Sequence, residues 1–291
     1  MFERVLYPID LTDVSITCAR ALTEFKKYGT EELTLFHTVE YDISMLIEGG
    51  ISDVDNFITS LKDKATRKLE EVANELSKEF SKVSVKVVVA LDPIAEISRV
   101  EEDFDLVVAP SRSGSPLFLG KTAEKIAKNS SIPCLLIKSR PDAGKSYYEL
   151  IFRNMFERPA YILEKTNDFP GIFEHLRKFG LKKVFLVRVV DIDEALEGKV
   201  SKEELIHPLV PIPRLVEILT EYWMNEKAKL EKIKNFLSTI GVASESMVSY
   251  GSIEKCLEKI SKIEGFSMAI CGKRSFDKAL KIADAVLILN S

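Results

Sequence analysis

The second half of this 291-residue chain repeats the first half in the order of its apolar and helical segments. Residues 266–275 (FSMAICGKRS) align without a gap on residues 104–113 (FDLVVAPSRS), and each segment contains an unbroken apolar run. Such runs are typical of parallel strands that are buried on both faces of a sheet. The repeat therefore predicts two domains of one fold in tandem.

Strand patterns alternate with helix patterns inside each copy. The first copy has predicted strands at 4–9, 32–39, 83–90, 106–109 and 131–138, and predicted helices at 13–28, 57–80, 93–100 and from 121 onward. This alternation indicates an α/β fold with helices on both faces of a parallel sheet. We predict two tandem doubly wound five-stranded parallel-sheet domains, which occupy residues 1–140 and 158–291 and are joined by a linker at 141–157.

Composition and charge narrow the class of protein. The net charge of −4 gives no reason to expect nucleic acid or an anionic membrane as a partner. No apolar run approaches the roughly 18 residues of a membrane span. The first strand begins almost at the initiator methionine, so we expect no signal peptide and a cytoplasmic location.

The reactive side chains form no recognisable catalytic or metal set. The four cysteines lie among apolar neighbours without a CxxC pair, so we predict that they are core residues. The three histidines have no ligand-like spacing, and His37 in the second strand is read as a structural residue. No nucleophile with a matching base is evident, so we predict that the protein is not an enzyme.

The stretch 104–126 carries the best candidate site. It runs from a buried strand through a loop of Pro, Ser and Gly into a helix that starts near Lys121. Ligands of open α/β sheets lie beyond the carboxyl ends of strands, where helix N-termini favour anions. The predicted binding residues in this stretch are Ala109, Ser111, Arg112, Ser113, Gly120, Lys121 and Thr122.

Two other interpretations of this loop stay open. Residues 114–122 (GSPLFLGKT) approach the nucleotide-binding pattern Gly-x4-Gly-Lys-(Ser/Thr), but the first glycine is one position off and Ser115 stands in its place. Pro116 also interrupts the loop, and no partner aspartate for magnesium is evident. Alternatively, the segment is an ordinary strand-to-helix turn that binds nothing.

The stretch resembles the fourth strand and following loop of the universal stress protein family, whose ATP-binding members carry Gly-x2-Gly-x9-Gly-(Ser/Thr). Gly120 matches the third glycine, whereas Pro110 and Ser113 replace the first two. The spacer to Gly120 has only six residues, and Lys121 replaces the Ser/Thr. Pro110 offers no N–H, and a shorter loop has fewer amides to wrap a triphosphate. These departures favour AMP or adenosine over ATP as the ligand.

The resemblance covers nearly the whole chain and implies a tandem two-domain member with the adenine nucleotide alpha hydrolase-like fold. It places Ile9, Asp10 and Val39 around the base and ribose. A carboxylate can accept from ribose hydroxyls, and strand-end amides can pair with an adenine edge. The other interpretation of Asp10 is that it only caps the following helix.

The second copy has diverged further from the family pattern. Gly272, Lys273 and Arg274 form a short basic turn after a buried strand, which could hold one phosphate group or could be a plain surface turn. We align Lys165 with Asp10. The last strands of the two copies, at 134–137 and 286–289, are expected to pair within the chain and form a pseudo-dimer.

The resulting hypothesis is a stress-response regulatory protein that binds an adenine nucleotide, AMP or ATP, as a ligand and requires no cofactor. A homodimer is a further candidate partner. The alternative is a non-nucleotide interaction or dimerisation module whose site has decayed. An ATP pyrophosphatase or nucleotidyltransferase is a weaker option, because the SGGxxS and HIGH motifs of such enzymes are absent from the sequence.

Overall fold

The computed structural model describes the backbone of most of the chain in two compact units. Unit 1 comprises Met1–Met155 and Asp284–Asn290, and unit 2 comprises Phe156–Ala283. The last predicted strand of the second copy therefore groups with unit 1. The described residues are 2–40, 54–111, 121–164, 171–190, 192–197, 199 and 212–289, without the side chains of 121 and 212.

Unit 1 is built on a sheet that matches the predicted strands closely. Its strands are β1 (Arg4–Pro8), β2 (Glu32–Glu40), β3 (Lys82–Ala90), β4 (Leu106–Ser111), β5 (Cys134–Lys138) and β10 (Ala285–Ile288). The first five run parallel in the order β3-β2-β1-β4-β5, which confirms the predicted doubly wound α/β class. The chain winds from β1 outward to β3 and then returns to β4, so the switch point of this sheet lies between β1 and β4.

The predicted pairing of the last strands is confirmed. β10 lies antiparallel to β5, with Val286 opposite Leu136 and Leu287 opposite Leu135. These side chains are buried, as expected of apolar edge strands that have found a partner.

The helices of unit 1 begin and end at residues whose chemistry favours it. They are α1 (Asp13–Ala21), α2 (Val54–Leu76), α3 (Pro93–Val100), α4 (Lys121–Asn129) and α5 (Lys145–Asn154). The Asp92 carboxylate accepts hydrogen bonds from Ile94 N and Ala95 N, and Pro93 follows it in the first turn, as predicted for this N-terminus. A 3₁₀ segment (Leu22–Tyr28) continues α1 and ends at Gly29, whose φ of +83° is the left-handed conformation that glycine adopts readily.

The segment predicted as a linker contains α5, which packs on the 3₁₀ segment of unit 1. The rings of Phe152 and Phe25 lie edge to face with centroids 5.1 Å apart. The hydroxyl of Tyr28 donates to the carbonyl of Phe152 at 2.6 Å. Because Phe152 and Tyr148 are fully buried, this part of the chain contributes to a core.

Unit 2 repeats the β1, β2, β3 and β4 arrangement. Its strands are β6 (Ala160–Leu163), β7 (Lys183–Val190), β8 (Ala243–Tyr250) and β9 (Ala269–Cys271), parallel in the order β9-β6-β7-β8. Its helices are α6 (Ile172–Lys178), α7 (Ile192–Leu196), α8 (Ile212–Thr239), α9 (Ile253–Ile263) and α10 (Phe276–Ile282). The order of elements is the order that the internal repeat predicts.

The apolar residues of the strands form the cores of both units. All four cysteines are buried and none forms a disulfide, as predicted for core residues. Over the ranges that the structure describes, no helix is both long enough and apolar enough to cross a bilayer.

Candidate functional site

Unit 1 has a cleft of about 330 Å³ at the carboxyl ends of β1, β2 and β4. This is the switch point of the sheet, and α3 and α4 begin beside it. The volume lies at the lower end of the range of about 300–1,000 Å³ that is typical of small-ligand pockets. The described lining residues are Pro8, Ile9, Asp10, Ser15, Phe36, His37, Thr38, Glu40, Pro93, Ile97, Ala109, Pro110, Thr122, Ala123 and Ile126.

The rim beside β1 is a polar turn with an unusual backbone. Asp10 Oδ1 accepts from Thr12 N at 3.1 Å and from Thr12 Oγ1 at 2.6 Å. Between them Leu11 has a φ of +61°, a left-handed conformation that costs a non-glycine residue about 1 kcal/mol. The ammonium of Lys68 donates to the Leu11 carbonyl at 2.9 Å and supports this turn. The turn fixes the position of the exposed Asp10 carboxylate at the cleft.

The β2 wall of the cleft contains His37. Its Nδ1 lies 2.7 Å from the Ile9 carbonyl oxygen. Since a carbonyl can only accept, Nδ1 carries the proton in this arrangement. His37 thus ties the end of β2 to the end of β1, in keeping with the structural role predicted for it.

A buried tyrosine anchors α1 beneath the cleft. The hydroxyl of Tyr7 donates to the Ser15 carbonyl at 2.8 Å. Burial raises the pKa of Tyr7 well above its usual value, so this hydroxyl stays a neutral donor. The bond fixes the first turn of α1, and with it Ser15, against the sheet.

Four of the predicted site residues come together at this cleft. Ile9, Asp10, Ala109 and Thr122 all line it. They come from β1, β4 and α4, and their proximity follows from the parallel order of the strands. Whether they bind a ligand stays a prediction.

Two predicted residues lie away from the lining. Val39 is buried beside it, and its neighbour Thr38 occupies the wall instead. Ser111 is also buried, and its hydroxyl donates to the Ile137 carbonyl of β5 at 3.1 Å. This side chain therefore holds two strands together and is turned from the cleft.

Part of the loop that was predicted to bind the ligand lies outside the described residues. This applies to Arg112, Ser113 and Gly120 and to the near-match to the nucleotide-binding pattern. The backbone of Lys121 opens α4, as predicted, while its side chain is among those not described. Their roles remain predictions from the sequence.

Sequence reasoning missed the walls contributed by helices. Pro93 and Ile97 of α3 and Ala123 and Ile126 of α4 line the cleft. The signal was available, because both helix starts were predicted to follow strands at the same edge of the sheet. The sequence does not predict that these two helices converge on β1 and β2.

Backbone hydrogen bonds set the correspondence between the two units. Glu3 O accepts from the first residues of β2, and Glu157 O accepts in the same way from Lys182 N and Lys183 N. The seventh residue after Glu3 is Asp10, and the seventh after Glu157 is Glu164. The alignment of Lys165 with Asp10 is therefore wrong by one residue, and Glu164 stands at the Asp10 position. The same counting places Arg188 of β7 at the position of His37 in β2.

The basic turn of unit 2 holds a carboxylate of its own chain. Arg274 N donates to Glu164 Oε1 at 3.1 Å. A Cβ on Gly272 would lie only 2.5 Å from Glu164 Oε2, so glycine leaves the room that this carboxylate occupies. Burial raises the pKa of the Cys271 thiol at the end of β9, and the negative charges of Glu164 and Asp277 raise it further. The predicted phosphate turn at Gly272, Lys273 and Arg274 thus lies against an internal anion.

A buried ion cluster lies beside this turn. The guanidinium of Arg188 donates to Glu226 Oε2 at 2.8 Å, to Glu194 Oε1 at 2.7 Å and to the Glu164 carbonyl at 2.6 Å. Arg188 is 2% exposed and Glu226 is 1% exposed. Burial raises the pKa of the Glu226 carboxyl, but hydrogen bonds from Lys229 and Arg188 outweigh it and hold that pKa below its usual value. Both charges are therefore retained inside unit 2.

Comparisons with known proteins agree with the fold and with the first copy. Residues 1–138 match the model of the universal stress protein family. The universal stress protein MJ0577 of Methanocaldococcus jannaschii is 26% identical over 157 residues, which cover 48% of this chain and 97% of that protein. The crystal structure of a universal stress protein from Archaeoglobus fulgidus aligns with a TM-score of 0.69 at 17% identity, over 100% of this chain and 99% of the other. That likeness shows a shared fold along the whole chain.

Proposed function

We propose that unit 1, whose residues 1–138 match the universal stress protein family, binds an adenine nucleotide of about the size of AMP. The protein would act by binding and signalling rather than by catalysis. The observation that carries the proposal is the cleft itself, at the switch point between β1 and β4. Ligands of open α/β sheets bind at this position.

The chemistry of the cleft suits a nucleoside. Phe36 and Ile97 offer apolar surface for a base, and the Asp10 carboxylate at the rim is an acceptor for ribose hydroxyls. The first turn of α4, with Thr122, lines the same cleft, and the dipole of a helix N-terminus favours an anionic group. A volume of about 330 Å³ favours a small ligand over one with an extended triphosphate.

Calorimetric titration of AMP, ADP and ATP into nucleotide-stripped protein tests the proposal. We expect AMP to bind at least as tightly as ATP, with or without magnesium. Lys121→Ala should weaken AMP binding about 10- to 100-fold, since a charge-assisted contact contributes about 1.5–3 kcal/mol. Lys125→Ala, one turn further along α4, is the matched control and should bind AMP like the wild type.

A cleft-filling variant gives a second test. Thr38→Trp should abolish AMP binding, because the indole would occupy the cleft. Val189→Trp places the same side chain at the corresponding position of β7 in unit 2 and should leave binding intact. Binding that survives Thr38→Trp would place the ligand elsewhere. No binding of any of the three nucleotides would favour the alternative function, a non-nucleotide interaction module.

A further inference from the structure

The turn of unit 2 and its neighbouring ion cluster occupy the edge that corresponds to the cleft of unit 1. Glu164 stands at the position of Asp10, and Arg188 stands at the position of His37. In unit 1, Asp10 and His37 lie on the wall of the cleft. In unit 2 they contact other side chains and main-chain groups of the same edge.

The Glu164 carboxylate makes the contacts that an incoming anion would make. It accepts a backbone N–H from Arg274, and it fills the space above the Cα of Gly272. Its own negative charge disfavours a second anion at the same turn, since two like charges in contact repel each other. The exposed Lys273 and Arg274 therefore flank a turn whose backbone donor is already in use.

Arg188 fills the adjoining space, and its hydrogen bonds make it costly in free energy to move its side chain. Its guanidinium bonds to carboxylates from α7 and α8 as well as to the end of β6. The hydroxyl of Tyr222 also donates to Glu194 at 3.0 Å, which ties α8 to α7 over the same region. Moving Arg188 to admit a ligand would take one of two cationic partners from the buried Glu226 carboxylate, the other being Lys229 at 2.7 Å.

We propose that Glu164 is an internal ligand of unit 2, which together with Arg188 closes this edge, so that each chain takes one nucleotide and takes it in unit 1. The anion predicted at Gly272, Lys273 and Arg274 is then a carboxylate of the chain itself. The stoichiometry rests on the proposed function, whereas the Glu164 contact is testable without any nucleotide.

Hydrogen exchange of the turn tests the contact. In Glu164→Ala we expect the amides of residues 272–275 to exchange at least tenfold faster than in the wild type, because Arg274 N loses its acceptor. Glu164→Gln keeps an acceptor oxygen without the charge and should lie between the two. Glu157→Ala, which removes an exposed partner of Lys182 in the same unit, should leave this segment unchanged. Unchanged exchange in Glu164→Ala would overturn the proposal.

Gly272→Ala provides an independent variant at the same contact. The added Cβ would push the carboxylate, the flexible end of the Glu164 side chain, off the turn. We expect the same rise in exchange as in Glu164→Ala, and no further rise when the two substitutions are combined. Effects of the two substitutions that simply add would show that the carboxylate does not lie on the turn.

The number of AMP molecules bound per chain tests the functional part. A stoichiometry of one that is lost in Thr38→Trp and kept in Val189→Trp supports the proposal. A stoichiometry of two would overturn it while leaving the proposed function standing. A stoichiometry of zero would overturn the proposed function, and with it the claim of one site per chain, and the exchange experiment would then decide whether Glu164 occupies the turn.

Discussion

The two units place different chemistry on the same scaffold positions. At the end of the first strand unit 1 has Asp10 on an exposed turn, and unit 2 has Glu164 folded onto the turn after β9. In the second strand unit 1 has a half-buried His37, and unit 2 has the buried Arg188 with its carboxylates. In each case a side-chain donor bonds to a main-chain oxygen at the end of the first strand. The comparison shows that both units place a donor at this position and that the two donors differ in size and charge.

The largest expected effect on the free energy of unfolding comes from removing the guanidinium of Arg188 in unit 2. Arg188→Leu takes one of two cationic partners from the buried Glu226 carboxylate, Lys229 being the other, and breaking a buried pair costs about 3–5 kcal/mol. Urea denaturation followed by tryptophan fluorescence should report it, because Trp223 lies on α8 near Glu226. A loss below about 1 kcal/mol would mean that water reaches Arg188 as it reaches an exposed pair.

The double variant sharpens this result. Arg188→Leu combined with Glu226→Leu removes both charges, and replacing a buried pair by apolar residues is often neutral or stabilising. We expect the double variant to recover most of the stability that Arg188→Leu loses. A double variant as unstable as the sum of its parts would indicate that packing, rather than charge, dominates at this position.

The next largest effect is expected from low pH, which should remove the stabilisation that Glu226 gives to unit 2. The folded-state pKa of Glu226 lies below its unfolded value, so its contribution is fully present above the unfolded pKa of about 4.3 and is lost as the pH falls through the folded pKa. The difference in urea midpoint between the wild type and Glu226→Gln should therefore shrink below this pH. A difference that stays constant from pH 7 to pH 3 would contradict the shift.

The smallest effect is expected at the matching position of unit 1. His37→Leu removes one hydrogen bond, from Nδ1 to the Ile9 carbonyl, and should cost about 0.5–1.5 kcal/mol. Measured by urea denaturation followed by circular dichroism, because the single tryptophan lies in unit 2, this cost should be well below that of Arg188→Leu. Equal costs at the two positions would remove the energetic distinction between them.

Much of the fold was predictable because its signals are local. The apolar runs of β4 and β9 and the cap at Asp92 are readable from neighbouring residues, and the structure confirms them. The cleft was only partly predictable, since four predicted residues line it while Val39 and Ser111 point elsewhere. In a strand, one residue of displacement reverses the face of a side chain, so errors of this size decide whether a residue meets a ligand.

Two other features of unit 2, the residue that corresponds to Asp10 and the partner of Arg188, were also missed because no local sequence pattern reveals them. The placement of Lys165 opposite Asp10 was wrong by one residue because the first strand of unit 2 has weak sequence similarity to that of unit 1. No sequence pattern singles out Arg188 within its apolar strand. Its partner Glu226 lies 38 positions away on a long helix. No periodicity rule connects a strand arginine to a carboxylate at that separation.

The sequence alone predicted the α/β class, the tandem repeat, the pairing of β5 with β10 and the edge of the sheet at which the cleft lies. These features depend on hydrophobic periodicity and on turn chemistry, which act over a few residues. Only the tertiary structure decided that one unit keeps a cleft while the other binds its own carboxylate. That outcome depends on a 3.1 Å contact between Glu164 and Arg274, and contacts between distant residues are fixed by packing rather than by local pattern.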